Sequence, residues 1–156
     1  MLALSAAGVL FALWLGSGLP PLVASHFGAA GDANGWMTRG QFVGLMCFML
    51  GVLPSLTLWG MTRAMHQRTR LKIPHAAWWL AEQRRPATER WLRDHFARFC
   101  AGLPVFLAWI FWLVAQANRG APAHPTLDTA SMLTSLAIFL AATAVWVLAL
   151  NRHFRR

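Results

Sequence analysis

TASMLTSLAIFLAATAVWVLALN, Thr129 to Asn151, contains no Asp, Glu, Lys, Arg or His. At 1.5 Å rise per residue, a run of this length crosses the ~30 Å hydrocarbon core of a bilayer. With no water there to pair its N–H and C=O groups, the run must satisfy its own backbone, so it reads as a helix. Met1–Ser25, Gly40–Thr62 and Phe99–Asn118 share the property. Together the four stretches predict an all-α integral membrane four-helix bundle in a single domain, residues 1–156, with spans at about 2–19, 41–62, 99–118 and 130–151. Pro20-Pro21 ends the first span near Gly18–Leu19. Pro54 and Pro104 fall inside the second and third spans and predict kinks there.

Composition agrees. Hydrophobic residues make up 57% and charged residues 12%, about half the usual ~25%, and mean hydropathy is +0.46. Too few polar groups are present to cover a soluble surface, which excludes an ordinary cytosolic enzyme, a disordered protein and a coiled coil. Nine Trp, ten Phe and no Tyr suit a bilayer with indoles at its interfaces. Two Cys exclude a disulfide-dense scaffold. Cys47 and Cys100 fall near opposite membrane faces, on the order of 20 Å apart in depth, too far for a disulfide.

The net charge of +9 is distributed by side. Arg63, Arg68, Arg70, Lys72, Arg84, Arg85, Arg90, Arg93 and Arg98 separate spans two and three, and Arg152, Arg155 and Arg156 follow span four. Arg39 and Arg119 alone lie on the other side. The positive-inside rule therefore places both termini and loop 63–98 in the cytoplasm, and loop 20–40 and residues 119–128 outside. The first 25 residues lack a basic leader and a clean small-residue cleavage site, so they read as a retained span of a bacterial cytoplasmic-membrane protein.

No span carries an ionisable side chain in its interior, which argues against proton relays, ion-coupled transporters and voltage sensors. Ser55, Thr57, Gln116, Ser131, Thr134, Ser135 and Thr143 read as interhelical hydrogen-bonding groups. The pairs Gly8/Ala12, Gly51/Ser55 and Ala137/Ala141 permit close helix approach, within the chain or in a homo-oligomer.

Candidate functional residues lie in the two longer loops. In the outer loop, Gly31, Asp32, Asn34 and Gly35 are turn formers, and Trp36 anchors at the headgroups ahead of span two. His26 and Asp32 lie close across that turn in this reading. Joined by His124 and Asp128, they are candidate donors for zinc or a peptide. Without HxxxH or CxxC spacing, no metal or cofactor is assigned. In the cytoplasmic loop, Thr88 is a candidate cap for a helix with Trp91, Leu92, His95, Phe96 and Phe99 on one face. Glu89–Arg93, Arg90–Asp94 and Asp94–Arg98 are candidate ion pairs on the other. Such a helix lies at the interface or runs directly into span three. Its basic residues suit anionic lipid headgroups or a docking partner, and no nucleic-acid module is present.

Leu19, Pro20, Val23, His26, Phe27, Gly31, Gly35 and Trp36 form the pattern L-P-x-x-V-x-x-H-F-x-x-x-G-x-x-x-G-W, with which the first ~65 residues resemble the SdpI-like family of small bacterial membrane proteins. Pro74, Trp79, Leu80, Arg84 and Arg85 are similar to that family's cytoplasmic motif. His75, Trp78 and Gln83 stand where the motif has Asn, Tyr and Glu. The resemblance implies a modest function of the immunity type: protection against a secreted toxic peptide, and a report of its presence inside the cell. The chain lacks the nucleophile–base pair or HExxH motif of an enzyme. The expectation is a non-enzymatic protein that binds a peptide or envelope component around His26, Phe27, Gly31, Asp32, Gly35 and Trp36, with Pro74, Trp78, Trp79, Arg84 and Arg85 inside. The alternative is an accessory subunit of a larger membrane complex. A metal-dependent enzyme or a transporter ranks below both.

Overall fold

The computed structural model describes residues 2–66, 73–120 and 123–155. Helix α1 (Leu2–Ser17) leads into two antiparallel strands, β1 (Leu22–Phe27) and β2 (Ala33–Thr38). A long helix follows in two α-helical parts, α2 (Arg39–Cys47) and α3 (Leu53–His66), joined by a π-helical turn at Phe48–Val52. A single turn, α4 (Ala76–Trp79), precedes α5 (Arg85–Gly120) and α6 (Thr129–Phe154). Arg39–Met65, Arg85–Gly120 and Thr129–Phe154 are each long and apolar enough to cross a membrane. The 16 residues of α1 rise about 24 Å, short of a full hydrocarbon core. The four spans expected from the sequence are thus three long helices and one shorter one.

The proline readings meet two outcomes. Pro54 has no N–H to offer the carbonyl one turn back, and the helix widens just ahead of it: Leu53 N–H bonds to the carbonyl of Phe48, five residues earlier. By contrast, α5 continues without interruption through Pro104, which is buried. It also absorbs the end of the expected cytoplasmic loop, so residues 85–98 run straight into the third span.

Three helices form the core. Ala12 and Leu15 of α1, Phe42, Met46 and Leu50 of the second helix, and Ala115 of α5 are buried together with Leu19 and Val23. Helix α1 approaches closely: a methyl at Gly8 would sit 2.9 Å from Leu50 Cβ, and one at Gly51 would sit 2.5 Å from Val9 Cγ2. Ser5 and Ser55 hydroxyls close the same seam at 2.8 Å. Two of the three small-residue pairs therefore serve packing within the chain. The third, Ala137/Ala141, is exposed on α6. Helix α6 stands beside this core against α5, with a Phe106–Phe139 stack at 4.3 Å. No residue of its most apolar stretch is buried. The four-helix arrangement is thus a packed trio with a fourth helix at its side. At the end opposite the sheet, Met65, Leu92 and Phe154 form a second, smaller core. Both cysteines are free.

The connection 20–40 differs most from expectation. It is a β-hairpin, and its turn falls at Gly28–Gly31, where Gly31 N–H bonds to Gly28 O at 2.9 Å and Gly28 N–H to Asp32 O at 2.8 Å. Asn34 and Gly35, read as turn residues, lie within β2. The pairing Val23↔Met37 turns both side chains onto the core, and Thr38 and Gln41 close a capping box that starts α2 directly from the strand.

Candidate functional site

The hairpin is a built platform. Asn118, in the last turn of α5, is buried, and its carboxamide pairs with one residue of β1. Oδ1 accepts from Ala24 N–H at 2.8 Å, and Nδ2 donates to Ala24 O at 2.9 Å and Val114 O at 2.9 Å. A carboxamide has the donor and acceptor of a peptide, so Asn118 completes the edge of β1 as a neighbouring strand would. The adjacent Arg119 donates to Leu15 O at 2.7 Å and Gly18 O at 3.3 Å. A cation there satisfies the orphan carbonyls at the C-terminus of α1. Gly18 makes room, since a methyl at that position would sit 2.6 Å from Arg119 Nη2. Arg39 donates to Leu19 O at 3.2 Å. The two arginines on the sparsely basic side therefore brace the end of α1 and its connection to β1.

The sequence-selected residues take distinct places on this platform. His26 is exposed, with Nδ1 3.0 Å from Ser25 Oγ. Gly35 faces it across the strands, where a methyl would sit 3.0 Å from His26 Cβ; the imidazole occupies that space. Trp36 is 51% exposed and Leu22 58%. Both lie on the outward face, while Phe27 packs on the core. Gly31 has φ +91°, open to glycine at little cost, and a methyl there would sit 2.6 Å from Leu127 O.

That contact joins the two loops at this end. Leu127 N–H bonds to Gly31 O at 2.9 Å, and Asp32 and Thr126 form a β-bridge. The loops meet through backbone rather than through the four candidate donors. Asp32 is exposed and makes no ion pair with His26 within 4.0 Å among the described residues. Asp128 caps α6, accepting from Ser131 N–H at 3.0 Å and from Ser131 Oγ at 2.6 Å. These bonds hold its carboxyl below the usual aspartate range. His124 is exposed. Among the described residues, no three His, Cys, Asp or Glu side chains gather as a metal site.

The opposite end is aromatic and basic. Arg84 stacks over Trp78 with Cζ 3.9 Å from the ring centroid, and its guanidinium donates to Trp78 O at 3.3 Å. Trp79 packs edge-on against Trp78 and Phe154. Thr88 is buried in the first turn of α5 and donates to Trp79 O at 2.9 Å, so it ties α4 to α5 instead of capping a helix that starts after it. Glu89 pairs with Arg85 at 2.7 Å rather than with Arg93. Pro74 is exposed. Next to it His75 has φ 53°, a left-handed conformation that Asn and His reach more readily than most residues.

The expected face of α5 finds its partner on α6. Four rings stack in the order His153, Trp91, His95, Trp146, with centroid spacings of 3.7, 4.7 and 4.5 Å and interplanar angles of 5, 12 and 14°. Trp146 Nε1 donates to His95 O at 3.0 Å, and His95 Nε2 lies 3.2 Å from Trp146 O. The Trp79 indole N–H is buried and has no hydrogen-bond partner among the described residues.

Sequence reasoning missed Asn118, Arg119, Trp146 and His153 as positioning residues. A buried-length apolar span ending in an adjacent Asn and Arg was the available signal for the first two, because such groups need partners. Three helices long and apolar enough to cross a membrane suggest a membrane protein, one end of which carries a braced hairpin and the other an aromatic staple. Residues 3–50 match a family profile described as a domain of unknown function, DUF1648. The match holds α1, the hairpin and α2, and includes His26, Phe27, Gly31, Asp32, Gly35 and Trp36 but none of the Pro74–Arg85 motif. Neither the curated proteins nor the solved structures include a match to the chain.

Proposed function

We propose that this chain is a non-enzymatic, multi-pass protein of the bacterial cytoplasmic membrane, of the SdpI-like kind, that senses or neutralises a peptide or envelope component with its hairpin. In this reading the sheet end lies outside and both termini lie in the cytoplasm, following the distribution of Lys and Arg. The observation that carries the proposal is the exposed, braced hairpin. His26 and Trp36 are exposed, and among the described residues β2 has a strand partner on one side only. An open strand edge takes up an extended peptide through main-chain hydrogen bonds, with flanking side chains selecting its sequence.

Helix α5 provides a physical route to the opposite end. It holds the hairpin through Asn118, the end of α1 through Arg119, and α4 and α6 through Thr88, Trp91 and His95. A ligand that shifts the hairpin between two arrangements acts on both ends through one helix.

A photo-reactive amino acid at position 36 tests the proposal in intact cells. The expected result is capture of a polypeptide or envelope component at position 36 and not at Leu133, an exposed position on α6. Lipid adducts alone at both positions would remove the reading. The accessory-subunit alternative draws on the uncovered α6 flank with Ala137 and Ala141. A stoichiometric partner retained through mild-detergent purification, and lost on Ala137→Leu, would favour it.

A further inference from the structure

A groove of about 500 Å³ runs between α5 and α6 on the side away from the three-helix core. Gly102, Phe106 and Trp109 line it from α5, and Ile138 and Ala142 from α6. Its walls are apolar apart from Ser135 and Thr143, and the Ser135 hydroxyl is turned onto Met132 O at 2.9 Å. One charged side chain lines it, Arg98, at the end nearer the aromatic stack. Arg98 makes no ion pair among the described residues: Asp94, one turn earlier, is not within 4.0 Å of it. Trp146 also borders this end, with its indole N–H already committed to His95 O.

Helix α5 rises about 16 Å from Arg98 to Trp109, a length that an extended acyl chain matches. An apolar groove with one unpaired cation at its end has the charge and shape of an acyl chain joined to an anionic headgroup.

We infer that the α5–α6 groove is a binding site for one anionic phospholipid, with an acyl chain against Gly102, Phe106 and Ala142 and the phosphate at Arg98. The inference rests on the membrane reading above and is independent of the hairpin's ligand. The lipid covers apolar surface that α6 leaves open and fills the space between α6 and α5.

The test uses the full chain reconstituted in vesicles and then examined by native mass spectrometry, with phosphatidylglycerol and phosphatidylcholine of identical acyl chains as probes. Wild type is expected to retain one phosphatidylglycerol about five-fold or more in preference to phosphatidylcholine, the attraction of one basic residue near a membrane surface. Arg98→Gln is expected to abolish the preference, and Ala142→Phe, which fills the groove, to abolish retention of both lipids. Arg155→Gln, a charge change outside the groove lining, is expected to leave the preference intact. Equal retention of the two lipids by wild type, equal losses in the Arg98 and Arg155 variants, or a lipid-free dimer would overturn the site. Failure of the chain to float with vesicles would overturn the membrane reading along with it, whereas flotation without lipid preference would overturn this inference alone.

Discussion

Asn118 and Ala24, ninety-four residues apart, share a two-way hydrogen bond in which the side-chain amide of one reads both polar groups of the other's backbone, at 2.8 and 2.9 Å. Ala24 is wholly buried, so neither its N–H nor its carbonyl has water as a substitute. Asn118→Leu is expected to leave both groups unsatisfied. Each costs about 1–3 kcal/mol, enough to lower the thermal midpoint in detergent and accelerate amide exchange across β1. Asn118→Gln, with its longer reach, is expected to rescue only part. An unchanged midpoint and unchanged β1 exchange in Asn118→Leu would show that the hairpin stands without this brace.

The carboxyl of Asp128 is held below the ordinary aspartate range by the Ser131 hydroxyl first and the Ser131 backbone N–H second. A depressed folded-state value means the ionised form is favoured by folding. The stabilisation is complete above the unfolded aspartate range of about pH 4 and is lost as pH falls through the lower, folded-state value. Asp128→Asn keeps a capping group but removes the titration. The acid limb of the wild-type stability profile is expected to flatten in this variant. Superimposable profiles for the two proteins would rule the cap out as a source of pH dependence.

His75 sits at φ 53° ahead of α4. A β-branched residue there meets the left-handed penalty of about 1–2 kcal/mol, whereas Gly or Asn does not. His75→Val is therefore expected to release α4, and with it the Trp78 and Trp79 packing, and His75→Asn to leave stability equal or slightly raised. Protease sensitivity near residues 74–84 reads this out. Equal protection in both variants would count against the conformation.

Trp146 and His95 exchange contacts between side chain and backbone while their rings stack at 4.5 Å. Trp146→Leu removes the stack and the bond to His95 O, a loss of about 1–3 kcal/mol concentrated on the α5–α6 contact. Spin labels on α5 and α6 are expected to show a broader distance distribution in the variant, with the α1–α2 distance unchanged. A narrow wild-type-like distribution would assign the hold on α6 to Phe106–Phe139 instead.

What the sequence determined by itself was the set of long helices. Charge-free runs such as Thr129–Asn151 carry that information locally, because a backbone without water has no partner but itself. The end of α1 before Pro20-Pro21 was legible for the same local reason, a missing N–H acting on its own helix, whereas the kinks read at Pro54 and Pro104 correspond to a π-helical turn ahead of the first and unbroken helix through the second. The apolar face of α5 was legible from spacing, with Leu92 and His95 buried as read.

Only the tertiary structure decided the hairpin, the staple and the position of α6. The six-residue strands LVASHF and ANGWMT carry little apolar alternation, and the register that turns Val23 and Met37 inward depends on a core made by three helices. The brace on β1 comes from Asn118, and the ring stack needs Trp91 and His95 to meet Trp146 and His153. Helix formation in a bilayer is a contract within one segment. A strand edge, a buried carboxamide or a stacked ring is satisfied only by a partner that folding brings from elsewhere in the chain.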